Sequence, residues 1–361
     1  MAANVLVVGG GYGGAAAAKA LDDVADVVLV EPRDRFVHNV AALRALVDPD
    51  WVEAIFLPYS ELLTRGRVIQ GRVTSTDGET VVLESGQRFT PDYLVLASGS
   101  GYPFPAKVNI EHNRDAVATM RTTHASLAES KRILLLGAGP VGLELAGEIK
   151  AAWPEKEITI VDRGQDIITG GLPDEFRAEL RGQLAALDIE LVLGTSLATQ
   201  PPTGPGELGA FTVPTHSGRD VDADIWFRCY GVIPNSAYLS GSLARARRES
   251  GHIEVTDDLR VAGHSRVFAI GDLTALPESK MAKAAGAHAE HVADNIRRLL
   301  DDPSSSLAGY APAPASISLP LGPAGGASYA PGVGVLGPKE TAEMKGGHLR
   351  MDDYRSLFGL A

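Results

Sequence analysis

Apolar residues in this chain fall in short unbroken runs that stop at glycine, and a helix-prone stretch follows each of the first stops. Val5-Leu6-Val7-Val8 runs into Gly9-Gly10-Gly11-Tyr12-Gly13-Gly14 and then Ala15 to Leu21. Ile133 to Leu136 runs into Gly137-Ala138-Gly139-Pro140-Val141-Gly142 and then Leu143 to Ile149. Short apolar runs bounded by turn residues predict strands buried on both faces. Both segments therefore read strand, tight turn, helix. Each is followed by a second apolar strand ending in an acid, Val27 to Val30 before Glu31 and Ile158 to Val161 before Asp162.

The first unit closes on Tyr93-Leu94-Val95-Leu96-Ala97-Ser98-Gly99-Ser100, a buried strand entering a turn. Before it, Arg72 to Phe89 carries turn residues at Asp77-Gly78 and Ser85-Gly86-Gln87 and predicts a small antiparallel ribbon at the sheet edge. The Pro-containing link Tyr102 to Pro105 leads to the second unit, which opens near Ser130 and repeats the same order. Pro201 to Gly209 reads as a loop, and Ile225 to Gly231 as a closing strand and turn. Val267-Phe268-Ala269-Ile270-Gly271-Asp272 is another short strand, and a helix is expected from about Ser279 to Leu300 with Ser279 as N-cap. After Pro303 the composition turns to Pro, Ala, Gly and Ser. Ile317 to Leu319 and Val333 to Leu336 are apolar enough for strands, and Leu349 to Phe358 ends the pattern, so a small folded layer is expected rather than a tail.

The expected fold class is therefore α/β, with two Rossmann-like dinucleotide-binding domains and a small C-terminal α+β layer. Residues 1–125 plus 253–302 are expected to form one discontinuous domain, 126–252 an inserted one, and 303–361 an interface domain. At 361 residues and 45% hydrophobic, the chain is long enough for such cores. A net charge of −12 argues against nucleic acid as a partner and weakens the case for binding anionic lipid. Cys229 is the single cysteine, which excludes a disulfide framework, a CxxC redox pair and a cysteine metal site. No apolar run is long enough to span a bilayer, and the start has no signal-peptide character. The expected location is the cytoplasm, with peripheral contact at the inner face of the membrane left open. The nine histidines show no metal-ligand spacing, and no metal is expected.

The paired GxGxxG motifs carry the chemistry. In each, the first glycine permits the turn, the second lets backbone N–H groups approach a pyrophosphate at a helix N-terminus, and the third lets helix pack on strand. The acids at Glu31 and Asp162 lie roughly 20 residues on, where a carboxylate meets a ribose hydroxyl pair. Two such units predict two dinucleotides. At Asp162 a carboxylate hydrogen-bonds a 2′-hydroxyl and repels a 2′-phosphate, which predicts NADH over NADPH, softened by Arg163.

With the Ala-Ser-Gly turn and Ala269-Ile270-Gly271-Asp272, the chain resembles the two-dinucleotide-binding-domain flavoproteins along nearly its full length. Phe36-Val37-His38-Asn39-Val40-Ala41-Ala42-Leu43-Arg44, Trp153 to Glu157, Ile233 to Tyr238 and Lys280-Met281-Ala282 narrow this to a resemblance with the ferroptosis suppressor and apoptosis-inducing-factor-like family, relatives of type II NADH dehydrogenases. The resemblance implies FAD, chemically modified or not, in the first domain and NAD(P)H in the inserted one. It implies FAD contacts from Gly9, Gly10, Gly11, Tyr12, Gly13 and Gly14, from Glu31 to the ribose, from the Val73 backbone to the adenine, and from Arg44, Gly99, Lys280 and Met281. Asp272 would hold the ribityl hydroxyls, and the helix beginning near Lys280 would aim its positive end at the flavin pyrimidine. Gly137, Gly139, Gly142, Asp162 and Gly231 would hold the nicotinamide nucleotide. Glu144 would face the flavin N5 region and orient the nicotinamide, a positional role that needs no proton transfer.

The function expected is an FAD-dependent NAD(P)H:quinone oxidoreductase, since without a redox cysteine the flavin must deliver electrons directly. A reductase of a small iron–sulfur carrier and a redox-sensing interaction protein of the apoptosis-inducing-factor type stay open as alternatives, as does a homodimer. His38 is open between a proton relay to the quinone and a packed loop histidine. Met1-Ala2-Ala3 lacks the glycine that myristoylation needs, and Met351, Tyr354, Leu357 and Phe358 share a helical side flanked by acids, which reads as a docking helix. The expected acceptor is then either a soluble quinone or a membrane quinone reached transiently. Lys280-Met281-Ala282-Lys283 stands where type II NADH dehydrogenases carry Ala-Gln, so their quinone pocket does not transfer.

Overall fold

The computed structural model describes residues 3–360, so the Met1-Ala2 start lies outside the described residues. Two parallel sheets organise it. In the first, the strands Arg67–Gln70, Asp26–Glu31, Asn4–Val8, Tyr93–Leu96 and Val267–Ala269 lie side by side in that order. In the second, the order is Ile189–Val192, Glu157–Val161, Arg132–Leu136 and Ile225–Arg228. Numbered along the chain, both sheets read 3-2-1-4, and the first continues to a fifth strand, the doubly wound arrangement. That fifth strand arrives only after the whole second sheet has been made. The registers match as well, with Val5 beside Val27 and Tyr93 in one sheet and Ile133 beside Ile158 and Ile225 in the other.

The strands are apolar on both sides because both faces are covered. Val5, Val7 and Val95 face the cluster that takes in Ala15, Ala18 and Leu21 of the helix Tyr12–Leu21, while Leu6, Val8 and Leu96 face the opposite layer. The same helix packs along the helix Ala282–Asp301. This second helix starts later than its sequence suggests. Met281 takes the N-cap position in extended conformation with no side-chain cap, Lys280 and Met281 both line the cleft, and Ser279 lies outside the helix.

The stretch from Arg72 to Phe89 forms a separate three-stranded antiparallel sheet, Val73–Thr76, Val81–Leu83 and Arg88–Phe89. Near the C-terminus Ile317–Leu321, Gly325–Ala330 and Gly334–Leu336 form an antiparallel meander, followed by a helical turn Pro338–Thr341, a π-helical turn Ala342–Gly346 and the helix Met351–Leu357. The last helix docks as expected. Phe358 is fully buried, its ring 4.7 Å from Phe36 and 5.7 Å from Tyr59, and the Tyr354 ring lies 4.6 Å from that of His38 at a tilt of 42°. Among the described residues no helix is long and apolar enough to cross a membrane.

Candidate active site

The two glycine turns are built alike. Gly9 and Gly137 take φ of 102° and 117°, values that leave room for no side chain at low cost. A Cβ on Gly14 would lie 1.7 Å from the carbonyl oxygen of Gly9, and one on Gly142 would lie 1.9 Å from that of Gly137. These third glycines let each helix sit on its strand. Gly11 and Gly139 are different, since a Cβ there would meet no protein atom within 4 Å. The space beside them is open, at the N-termini of the helices Tyr12–Leu21 and Pro140–Ala152, where unpaired N–H groups favour an anion.

Each turn is closed by the acid that ends the second strand. Gly10 N–H donates to Glu31 Oε2 at 2.6 Å, and Ala138 N–H donates to Asp162 Oδ2 at 2.6 Å. The second oxygens also accept, Glu31 Oε1 from Arg33 Nε at 2.7 Å and Asp162 Oδ1 from Gly164 N–H at 2.6 Å. Burial works to raise the Glu31 carboxyl, but Arg33 and the surrounding N–H donors outweigh it and hold it below the usual range. Tyr59 completes the turn by donating to the Gly10 carbonyl at 2.8 Å.

A cleft of about 1230 Å³ opens over the first turn. It exceeds the ~300–1,000 Å³ usual for a single small molecule, as a dinucleotide meeting a second substrate requires. Gly9, Gly11, Tyr12, Gly13, Glu31, Val73, Gly99, Asp272, Lys280 and Met281 all line it, and so does Glu144 from the second unit. Asp272 Oδ2 accepts from Lys107 Nζ at 2.9 Å and from Ser100 Oγ at 2.5 Å. Burial opposes the Asp272 charge, yet Lys107 and Ser100 hold its carboxyl below the ordinary value. The Lys280 ammonium, half-buried beside the carbonyl of Leu276, is pushed down by burial. The C-terminal layer supplies the far wall through Ile317, Tyr329, Met344 and Lys345. Lys345 Nζ reaches across to Glu144 Oε1 at 2.8 Å.

A second cleft of about 380 Å³ lies at the end of the second sheet, lined by Gly137, Asp162, Arg163, Thr195, Arg228 and Tyr230 among others. The Nε of Arg228 is buried there without a hydrogen-bond partner. Gly231, with φ of 104°, follows Tyr230 and has open space around it. An open second glycine, a helix N-terminus and an acid beside the turn thus recur in both halves, and the donor sets fit FAD in the larger cleft and a nicotinamide nucleotide from the smaller cleft toward Glu144.

Arg44 departs from the expectation of an FAD contact. It does not line the cleft. Its guanidinium is buried, held by both oxygens of Glu148 with Nη2 to Oε1 at 2.8 Å, and Nη2 also donates to the Gly346 carbonyl at 2.8 Å. His38 is likewise absent from the cleft lining. Its Nδ1 accepts from Tyr12 Oη at 3.2 Å, because that oxygen already accepts from Val40 N–H, and its Nε2 donates to the Leu349 carbonyl at 2.8 Å. Burial pushes its pKa down to about 4. A chain ending on a carbonyl oxygen passes no proton onward, which leaves His38 a packed histidine. Lys107, Lys345, Ser100 and Tyr59 belong to the site although nothing in the sequence singled them out. Cys229, the single thiol, is buried against Gly137 and Gly142 with its pKa pushed up to about 12.

Residues 3–290 match the family described as pyridine nucleotide-disulphide oxidoreductase. Apoptosis-inducing factor homolog B of Dictyostelium discoideum is 32% identical over 372 residues, covering 98% of this chain and 96% of that protein. Ferroptosis suppressor protein 1 of Homo sapiens is 33% identical over 300 residues, covering 82% of this chain and 80% of its own length. In fold the chain is similar to the sulfide:quinone oxidoreductase from Aquifex aeolicus, with a TM-score of 0.75 at 18% identity, covering 99% and 92% of the two chains.

Proposed function

The chain belongs to the pyridine nucleotide-disulphide oxidoreductase family, and from that premise we propose that it is an NADH:quinone oxidoreductase whose two substrates meet at one FAD. It is an FAD-dependent NAD(P)H oxidoreductase by family; the quinone is the finer reading. When bound, FAD would supply two-electron chemistry between the hydride of the nicotinamide and a quinone, the quinol's two protons coming one with the hydride and one from solvent. In this reading residues 1–125 and 253–302 carry FAD, 126–252 carry the nicotinamide nucleotide, and 303–361 complete the cleft.

The observation that carries the proposal is the far wall of the large cleft. Ile317, Tyr329 and Met344 line the same space as Asp272 and Lys280, while the one thiol of the chain is buried elsewhere. The disulphide half of the family's chemistry has no residues here. A flat apolar acceptor suits such a wall, and transient contact with a membrane would deliver a lipid quinone to it. The glycine turns and helix N-termini bind the pyrophosphates, Glu31 and Asp162 the riboses, and Asp272, held charged by Lys107, the ribityl chain. Lys280 to Lys283 place cationic charge and a helix N-terminus at the same end of the cleft, favouring negative charge there. Glu144 orients the nicotinamide, and Asp162 favours NADH; equal kcat/KM with NADH and NADPH would remove that role from Asp162.

Anaerobic stopped-flow tests the proposal. The flavin should bleach rapidly with NADH, and the reduced protein should regain its absorbance rapidly on mixing with a water-soluble ubiquinone or menaquinone analogue. Rapid bleaching with slow return for every quinone would rule the acceptor out. Glu144→Ala should slow bleaching by about tenfold or more with FAD retained.

A further inference from the structure

Arg44 sits where three parts of the chain meet. It belongs to the helix Ala42–Val47 below the large cleft. Its guanidinium grips Glu148 of the helix Pro140–Ala152 and the carbonyl of Gly346 at the end of the π-helical turn Ala342–Gly346, and lies 5.5 Å from the Trp51 ring. Arg44 and Glu148 are both nine-tenths buried or more. Burial raises the Glu148 carboxyl, with the Arg44 guanidinium working against that rise. The two partners are neighbours of another pair. Glu148 is one helical turn beyond Glu144, so both acids share a face of that helix. Gly346 follows Lys345, and Lys345 bonds Glu144. A buried rung, Glu148–Arg44–Gly346, therefore lies directly behind the Glu144–Lys345 rung at the cleft.

We propose that Arg44 is a positioning residue for hydride transfer, fixing the helix that carries Glu144 and the turn that carries Lys345 at one separation across the cleft. The inference rests on the reading of Glu144 as the group that orients the nicotinamide. A planar guanidinium suits the task because it donates to a carboxylate through two nitrogens and to a carbonyl at the same time. A lysine has one nitrogen for both partners. A well-packed apolar pair fills the same space without fixing a hydrogen-bonded distance, and replacing a buried ion pair by such residues is often neutral for stability.

The test uses FAD-loaded protein and four variants, Arg44→Lys, Arg44→Met, Arg44→Met/Glu148→Met and Glu144→Ala. The readouts are FAD content, melting temperature, apparent Kd for NADH and the limiting rate of flavin reduction. In Arg44→Lys, which keeps the charge and is expected to fold, that rate should fall about tenfold with the apparent Kd changed less than about twofold, because geometry and not affinity is lost. The double methionine variant should recover the melting temperature lost by Arg44→Met while reduction stays slow. Recovery of both stability and rate would reduce Arg44 to a structural strut and overturn the proposal, as would normal reduction in Arg44→Lys. Glu144→Ala separates the two readings. If it reduces slowly while Arg44→Lys is normal, only the present inference falls; if it reduces normally, the role of Glu144 falls and this inference with it.

Discussion

His38 shows how a single residue's role is decided by where its polar atoms end. Both ring nitrogens are used, and burial holds the pKa at about 4 against an ordinary value of 6.5. Well above pH 6.5 the ring is neutral in both the folded and the unfolded chain. As pH falls from 6.5 toward 4 the unfolded chain binds a proton that the folded one refuses, so stability is lost through that window and levels off below it. Between pH 7 and pH 5 the loss attributable to His38 is on the order of 2 kcal/mol. Urea unfolding of the wild type and His38→Gln at both pH values checks this: the variant starts less stable but should lose less on acidification. Equal losses would mean that His38 is not held neutral in the folded state. The residues legible beforehand were those whose job is local, the turn glycines and the acids a fixed step beyond them. Lys107 reaches Asp272 and Lys345 reaches Glu144 across long stretches of chain, and Arg44 finds Glu148 the same way. No spacing announces such partners, so the sequence points to Arg44 as an FAD contact and is silent on Lys345.

Among elements, the strand–turn–helix units were legible because steric limits and burial act within a few residues. The helix Asn113–Glu129 was not, since its apolar face is thin, with Ala116, Val117, Met120, Thr123 and Leu127 turned inward from an otherwise polar segment. The strand Gly325–Ala330 was missed because small residues carry little apolar signal, although its ladder with Ile317–Leu321 is regular. Within the second unit, two glycines of one motif should respond in opposite ways to a single methyl group. Gly142→Ala drives a Cβ into the Gly137 carbonyl, so the helix Pro140–Ala152 must move off its strand, costing about 1–3 kcal/mol and weakening NADH binding. Gly139 takes φ of −80°, which any residue adopts, and its Cβ direction is open. Gly139→Ala should therefore leave the melting temperature unchanged and raise the KM for NADH about tenfold by crowding the phosphates. A fall in melting temperature for Gly139→Ala comparable to that of Gly142→Ala would show that both glycines serve packing alone.

At the scale of the whole molecule, the C-terminal layer matters because it touches both halves. Its helix Met351–Leu357 sets Tyr354 and Phe358 against Phe36, Tyr12 and Tyr59 of the first unit. Its sheet rides on the second unit, where Gly326 N–H donates to Gln183 and Leu321 lies over Gly147. Gly147 is in the interior of the helix Pro140–Ala152, on the turn that carries Glu148. In an exposed helix, glycine to alanine stabilises by roughly 0.5–1 kcal/mol through propensity. Here the added Cβ would lie 2.4 Å from Leu321 Cα and 2.7 Å from Gly322 N, both backbone atoms that cannot step aside alone. Overpacking against a fixed neighbour costs about 1–3 kcal/mol, so contact outweighs propensity and the sign reverses. Gly147→Ala should lower the melting temperature, and because Ile317 and Ser318 of the displaced sheet line the large cleft, it should also slow reoxidation of the reduced flavin by quinone. A raised melting temperature would show that the sheet does not bear on this helix at Gly147, and the far wall of the cleft would then be held by the Gly326–Gln183, Arg44–Gly346 and Lys345–Glu144 bonds and by the Phe358 contacts.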